Sequence, residues 1–164
     1  QDLGEGVLYY GDYAAAGERA SSNITEIRTK QEYQDFIRGA GDQLAVVDFS
    51  TELCTPCVHV FPAVLALSKN MKGIATFARM IGDRSREGLE LMKELNITQT
   101  PTFIFHMNGV ERDRFVGSSR GDLIGQILKM QGVLGGRPLP QPGQRRPSQA
   151  PPPPRRRSGQ SMWR

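Results

Sequence analysis

Two cysteines, two histidines and one tryptophan are all that this chain of 164 residues holds of those types, and each scarcity removes a class of protein. Two cysteines cannot build the multi-bridge framework of a small secreted domain. Beside them stand only His59 and His106, so the chain lacks the second Cys or His pair that a four-ligand structural zinc site uses. No apolar run approaches the roughly 20 residues a bilayer-crossing helix needs, so no membrane span is read. Trp163 lies next to the last residue and serves no core. Acidic residues are missing altogether from 133 to 164, whereas seven of the 21 basic residues (Arg137, Arg145, Arg146, Arg155, Arg156, Arg157 and Arg164) fall there. The remaining 14 basic and 17 acidic residues leave the body slightly acidic, so the overall net charge of +4 belongs to the tail. A body of that sign, with no interleaved aromatic and basic motif, does not read as a nucleic-acid-binding domain.

What is present suits one globular unit with extensions: 38% of residues are hydrophobic and 23% charged. Residues 1–22 carry no sustained period and are expected to form a flexible lead, with Val7 to Tyr10 able to dock on the body. The chain begins at Gln1 rather than Met, so a targeting segment is expected to have been removed or to lie outside it, and compartment is not legible. Residues 133–164 hold eight of the eleven prolines, including Pro151 to Pro154, among Gly, Gln and Ser. That composition predicts disorder with polyproline II character. The arginine clusters suit an acidic protein or nucleic-acid surface, and the prolines suit a partner domain; a merely solubilising extension is the alternative.

Between the extensions, residues 23–132 alternate between the two hydrophobic periods. Strands are expected at Ile24 to Arg28, Leu44 to Phe49 and Ile74 to Ile81, and helices over Lys30 to Arg38, Pro56 to Met71, Arg86 to Leu95 and Asp122 to Met130. Thr102 to Met107 and Glu111 to Val116 predict a hairpin about Asn108-Gly109. Leu44 to Phe49 is nearly all apolar, as in a strand buried on both faces, and Asp48 is its one acid. The order β-α-β-α-β-α-β-β-α gives an α/β three-layer sandwich with a mixed central sheet.

Both cysteines fall in one motif, Cys54-Thr55-Pro56-Cys57, between the buried strand and the start of a helix. The spacing serves half a zinc site, a simple staple or a dithiol that exchanges with disulfides. Zinc lacks its other ligands here, and so short a loop removes little chain entropy when closed. Exchange suits the position best, because a helix start directs unpaired N–H groups and the positive end of the dipole at Cys54, favouring the nucleophilic thiolate.

Several separated motifs then coincide: Val46-Val47-Asp48-Phe49 before the pair, Pro62 inside the following helix, Thr100-Pro101-Thr102 opening a strand, and Gly117 after the hairpin. Over residues 24 to 132 the chain resembles thioredoxin. Cys57-Val58, Phe61-Pro62, Leu67-Ser68, Phe77-Ala78-Arg79-Met80, Gly82-Asp83, Pro101-Thr102-Phe103, Val116-Gly117-Ser118 and Gly121-Asp122-Leu123-Ile124-Gly125 look like the C-terminal, redox-active module of chloroplast drought-induced thioredoxins. Those proteins carry two tandem modules, and this chain has room for one.

The resemblance implies a thioredoxin fold and a protein-disulfide reductase that needs no cofactor or metal. It implies disulfide-containing targets such as peroxiredoxins or methionine sulfoxide reductases, an upstream thiol reductant of unknown identity, and the chloroplast stroma. Cys54, expected to be the exposed sulfur, attacks the target; Cys57, more buried, resolves the mixed disulfide. Asp48 matches the buried carboxylate that takes the resolving thiol's proton, a solvated acid at the strand's end being the alternative. Pro101 is expected to follow a cis bond, with the Thr100 backbone free to pair with an extended substrate. By the same resemblance Leu53, Thr55, Pro56, Thr100 and Gly117 are expected to bind the substrate, Gly117 by permitting its close approach. Thioredoxins usually have Trp before the first cysteine and Gly after it, so Leu53 and Thr55 are departures expected to alter substrate range. Met80 is read as standing where many thioredoxins have a lysine, which leaves Asp48 governed by desolvation rather than by an opposite charge. His59 is expected to be a solvated side chain. A structural subunit or adaptor that keeps the pair without turning over is the alternative function.

Overall fold

The structure is a computed structural model and describes residues 23–133. The flexible lead expected at 1–22 and the Arg/Pro tail from 134 onward lie outside the described residues.

Five strands form one sheet in the order β1-β3-β2-β4-β5: β1 (Ile24–Ile27), β2 (Leu44–Ser50), β3 (Ala75–Ile81), β4 (Thr102–Met107) and β5 (Val110–Val116). β1 and β2 flank β3 in parallel, while β4 runs antiparallel to both β2 and β5. The sheet is mixed because β2 and β3 are joined through a helix, whereas β4 and β5 are joined by a two-residue turn. Both turn residues, Asn108 and Gly109, have positive φ (50° and 75°), as the twist of a tight hairpin requires.

Four helices cover the sheet: α1 (Lys30–Gly39), α2 (Thr55–Asn70), α3 (Arg86–Glu94) and α4 (Arg120–Val133). Local chemistry starts three of them. Thr29 caps α1 through Glu32 N–H, and Ser85 caps α3 through Gly88 N–H. α2 has a sulfur in that place: Cys54 Sγ accepts from Cys57 N–H at 3.2 Å.

Strand periodicity divides the interior in two. Leu44 and Val46 of β2, Phe77 of β3 and Phe103 and Phe105 of β4 face α2 and α4, meeting Val60, Phe61, Val64, Leu123 and Ile127. The intervening Val47, Phe49, Ala78, Met80 and Ile104 face α1 and α3, meeting Tyr33, Ile37, Leu91 and Met92. These two cores make the three layers, and every residue of β2 is buried. Asp48 and Ser50 therefore point into the α2 side, the side on which the cysteines lie.

Candidate active site

The site lies where β2 runs out into α2. Thr51, Glu52 and Leu53 connect the two, and the connection is held from outside by a short 3₁₀ turn, Gly82–Arg84. Asp83 Oδ1 accepts the Glu52 N–H at 2.9 Å, and the Arg84 guanidinium pairs with the Glu52 carboxylate. Leu53 is left 56% exposed immediately before Cys54.

Cys54 and Cys57 are disulfide-bonded, with Cα atoms 5.3 Å apart. Cys57 is fully buried, as expected. Cys54 departs from the expectation of an exposed sulfur, since only 5% of the residue is accessible. The reason is the segment that precedes β4. The Thr100 carbonyl oxygen is 3.7 Å from Cys54 Sγ and its hydroxyl is 3.5 Å away, and the Thr51 hydroxyl meets that of Thr100 at 3.0 Å.

The Thr100–Pro101 bond is cis. Pro101 is buried, and its carbonyl accepts the Gly117 N–H at 3.1 Å. Gly117 holds φ +134°, a conformation that favours glycine. This contact brings the start of β4 and the end of β5 together beside the sulfurs, with Val116 48% exposed next to it. Thr55 and Pro56 form the first turn of α2, where a missing proline N–H costs no helical bond. Pro62 stands inside the same helix and removes the donor to the Val58 carbonyl.

Asp48 is 1% exposed, which rules out a solvated acid at the strand's end, and Ser50 Oγ donates to its Oδ1 at 2.7 Å. Its neighbour on β3 corrects the sequence reading. The residue in register with Asp48 is Arg79, whereas Met80 pairs with Phe49 and lies in the opposite core. A one-residue step along a strand exchanges its faces, so the cation beside the acid is one position earlier than expected. Arg79 is 2% exposed, pairs with Glu26 of β1 and lies over the Phe61 ring of α2 at 5.0 Å. Asp48 thus has an opposite charge beside it as well as burial. Arg79, Thr51 and the Glu52-Asp83-Arg84 clamp are the site features that sequence reasoning missed. Arg79 alone left a signal, because it shares the odd-numbered face of β3 with Ala75, Phe77 and Ile81.

His59 is exposed on α2, where its carbonyl accepts from Arg120. His106 is buried in the other core against Tyr33, so the structure does not gather the histidines around the cysteines. Among the described residues no group of three or more His, Cys, Asp or Glu could hold a metal ion, and no helix is long and apolar enough to cross a membrane.

A disulfide-bonded cysteine pair at a helix N-terminus on this sheet, with a cis-proline after the Thr100 that meets Cys54, is an arrangement of the thioredoxin-fold class. The thioredoxin family model matches residues 24–130. The chain belongs to the thioredoxin family. It is 39% identical over 129 residues to the chloroplastic thioredoxin-like protein CDSP32 of Arabidopsis thaliana, a match covering 77% of this chain but 40% of that protein. It is 29% identical to the thioredoxin of Oryctolagus cuniculus over 65% of this chain and 98% of that one. Among solved structures, Fasciola hepatica thioredoxin superposes with TM-score 0.60 at 30% identity, covering 65% of this chain and 98% of that one.

Proposed function

We propose that this chain reduces disulfide bonds in target proteins through Cys54 and Cys57, in a chloroplast and, more narrowly, in its stroma. The observation that carries the reading is the placement of Cys54. Its sulfur caps α2, receives the Cys57 N–H and is bonded to Cys57 beside cis-Pro101. In the reduced state the helix N-terminus favours the Cys54 thiolate. That thiolate attacks one sulfur of a target disulfide and releases the other as a thiolate, leaving a mixed disulfide. Cys57 then attacks Cys54, forming the internal disulfide and freeing the second target thiol. Two electrons pass to the target, and Asp48 takes the proton that Cys57 loses. An external thiol reductant restores the dithiol.

Leu53 and Val116, both exposed and apolar, supply the docking surface, and the backbone of Thr100 supplies the edge for an extended target segment. Leu53 offers less flat contact area than an aromatic would, which narrows the range of targets. Peroxiredoxins and methionine sulfoxide reductases are the targets we propose. The chloroplast assignment is supported by the name of the plant relative.

The test is dithiothreitol-driven reduction of insulin and of a peroxiredoxin by the intact chain, beside Cys54→Ser and Cys57→Ser. Turnover is expected to vanish in Cys54→Ser, Cys57→Ser is expected to trap the target as a mixed disulfide, and Asp48→Asn is expected to slow resolution without abolishing attack. An intact chain that is silent on both substrates and traps nothing from a chloroplast extract would point instead to an adaptor that keeps the pair without turnover.

A further inference from the structure

We infer that the hydroxyls of Thr51 and Thr100 form a two-membered hydrogen-bond chain that ends on Cys54 Sγ and stabilises its thiolate. The inference rests on the exchange chemistry proposed above and names the side chains that tune it.

The arrangement follows from the register of β2 and β4. Phe49 pairs with Thr102 at the end of that ladder, so two residues further along the same antiparallel count sets Thr51 opposite Thr100. Past the last ladder bond the two hydroxyls meet at 3.0 Å, and Thr100 Oγ1 reaches Cys54 Sγ at 3.5 Å. Each hydroxyl carries one proton and can both donate and accept. A thiolate only accepts. Once Cys54 is deprotonated, the chain therefore has one satisfactory polarity: Thr51 donates to Thr100 and Thr100 donates to the sulfur. A protonated Cys54 has another outlet, the Thr100 carbonyl 3.7 Å away, and imposes no direction on the hydroxyls. The pair thus favours the charged form over the neutral one, which is the condition for lowering a pKa. Partly buried surroundings strengthen the effect, and Thr51 strengthens it further by polarising the Thr100 hydroxyl. The Cys57 N–H approaches the same sulfur at 3.2 Å, so the backbone of α2 and a side chain from the turn before β4 both serve the nucleophile. Thr51 and Thr100 are positioning residues.

The experiment follows alkylation of the reduced full chain by iodoacetamide as a function of pH, with the adduct mapped to Cys54 by mass spectrometry. Thr100→Val keeps shape and removes the hydroxyl; it is expected to raise the midpoint by about one pH unit, a roughly ten-fold slower reaction at pH values below it. Thr51→Val is expected to move it in the same direction by roughly a third of that rate factor, since it acts through Thr100. On a Thr100→Val background, Thr51→Val is expected to add nothing. Thr100→Ser is expected to restore the original midpoint. A midpoint unmoved in Thr100→Val overturns the inference, as does an undiminished effect of Thr51→Val on that background. If Thr100→Val fails to fold, Thr100→Ala, which vacates space instead of refilling it, gives the same reading. Alkylation needs no disulfide substrate, so a chain that proves inactive as a reductase leaves this result to be judged by itself.

Discussion

Arg79 stands in the middle of a row of charge that crosses the sheet, with Glu26 of β1 on one side and Asp48 of β2 on the other, all three in register. A guanidinium that is 2% exposed is strongly penalised by desolvation unless carboxylates and a ring face replace its water, and here Glu26 and the Phe61 ring do so, with Asp48 beside them. Removing the cation while both acids remain leaves buried negative charge uncompensated, so Arg79→Met is expected to cost about 3–5 kcal/mol. Arg79→Lys keeps the charge but loses the planar fork and should cost distinctly less. Glu26→Gln keeps a side-chain oxygen that can accept from the guanidinium and leaves Asp48 beside it, so it should cost less than Arg79→Met. Urea unfolding of the three variants checks this ranking; an Arg79→Met protein as stable as the parent would remove the row from the account. A charged residue in a buried strand reads from sequence as a break in the pattern, and only the face it shares with Phe77 reveals that it belongs under α2. Cys54 and Cys57 were legible because exchange chemistry selects their spacing, and Asp48 because it is the one acid of a buried strand, its role coming from the resemblance. Thr51 was not, because a lone threonine in a loop acquires its meaning from a strand more than forty residues away.

Between residue and fold stands the unit made by the 3₁₀ turn and α3, which carries the clamp on the active-site loop. Gly88, in the first turn of α3, packs on the backbone of Gly82, and a Cβ at Gly88 would overlap the Gly82 carbonyl oxygen. A Cβ at Gly82 would in turn overlap the side chain of Met92. Two opposed effects therefore meet in Gly88→Ala. Helix propensity favours alanine by about 1 kcal/mol, while a clash against backbone, which cannot swing aside, costs about 1–3 kcal/mol. The clash is expected to win, and because Gly82 precedes Asp83 and Arg84, the shift should also loosen the hold on Glu52. Gly125 of α4 provides the contrast: nothing lies within 4 Å of a Cβ there, so Gly125→Ala should stabilise by about 0.5–1 kcal/mol. Thermal or urea unfolding of both variants decides it, and a stabilised Gly88→Ala would refute the packing argument. The major elements were readable from their periods, with no end displaced by more than three residues. The 3₁₀ turn was not, since three residues without a period leave no pattern to detect.

At the scale of the whole molecule the two cores do different work, because the redox site draws on the α2 and α4 side and the other side carries a buried polar pair, Tyr33 and His106. The Ala45 carbonyl can only accept, so His106 Nδ1, 3.3 Å away, must donate to it; the neutral ring then accepts the Tyr33 O–H at Nε2, at 2.6 Å. Burial drives the two groups apart in titration, lowering the His106 pKa and raising that of Tyr33 to about 12, with Glu111 and Arg114 as the nearby charges. For the histidine, the unfolded chain binds the proton more readily than the folded one, so stability is full above about pH 6.5 and declines as pH falls below it. For the tyrosine, the unfolded chain ionises first, so stability is full below about pH 10 and declines between there and about pH 12. Two polar residues thus each contribute a pH dependence to stability from the side opposite the cysteines. Tyr33→Phe isolates the effect. It leaves His106 Nε2 without its donor, which should cost about 1–3 kcal/mol near neutrality. It also removes the Tyr33 share of the alkaline decline, so the gap between parent and variant should shrink as pH rises past 10. Below pH 6.5 the same gap should narrow as well, since a His106 without the tyrosine hydroxyl has less to lose on taking a proton. Denaturant unfolding of parent and variant across pH 5 to 11 measures it, and a gap constant over that range would show that the pair is held by packing alone.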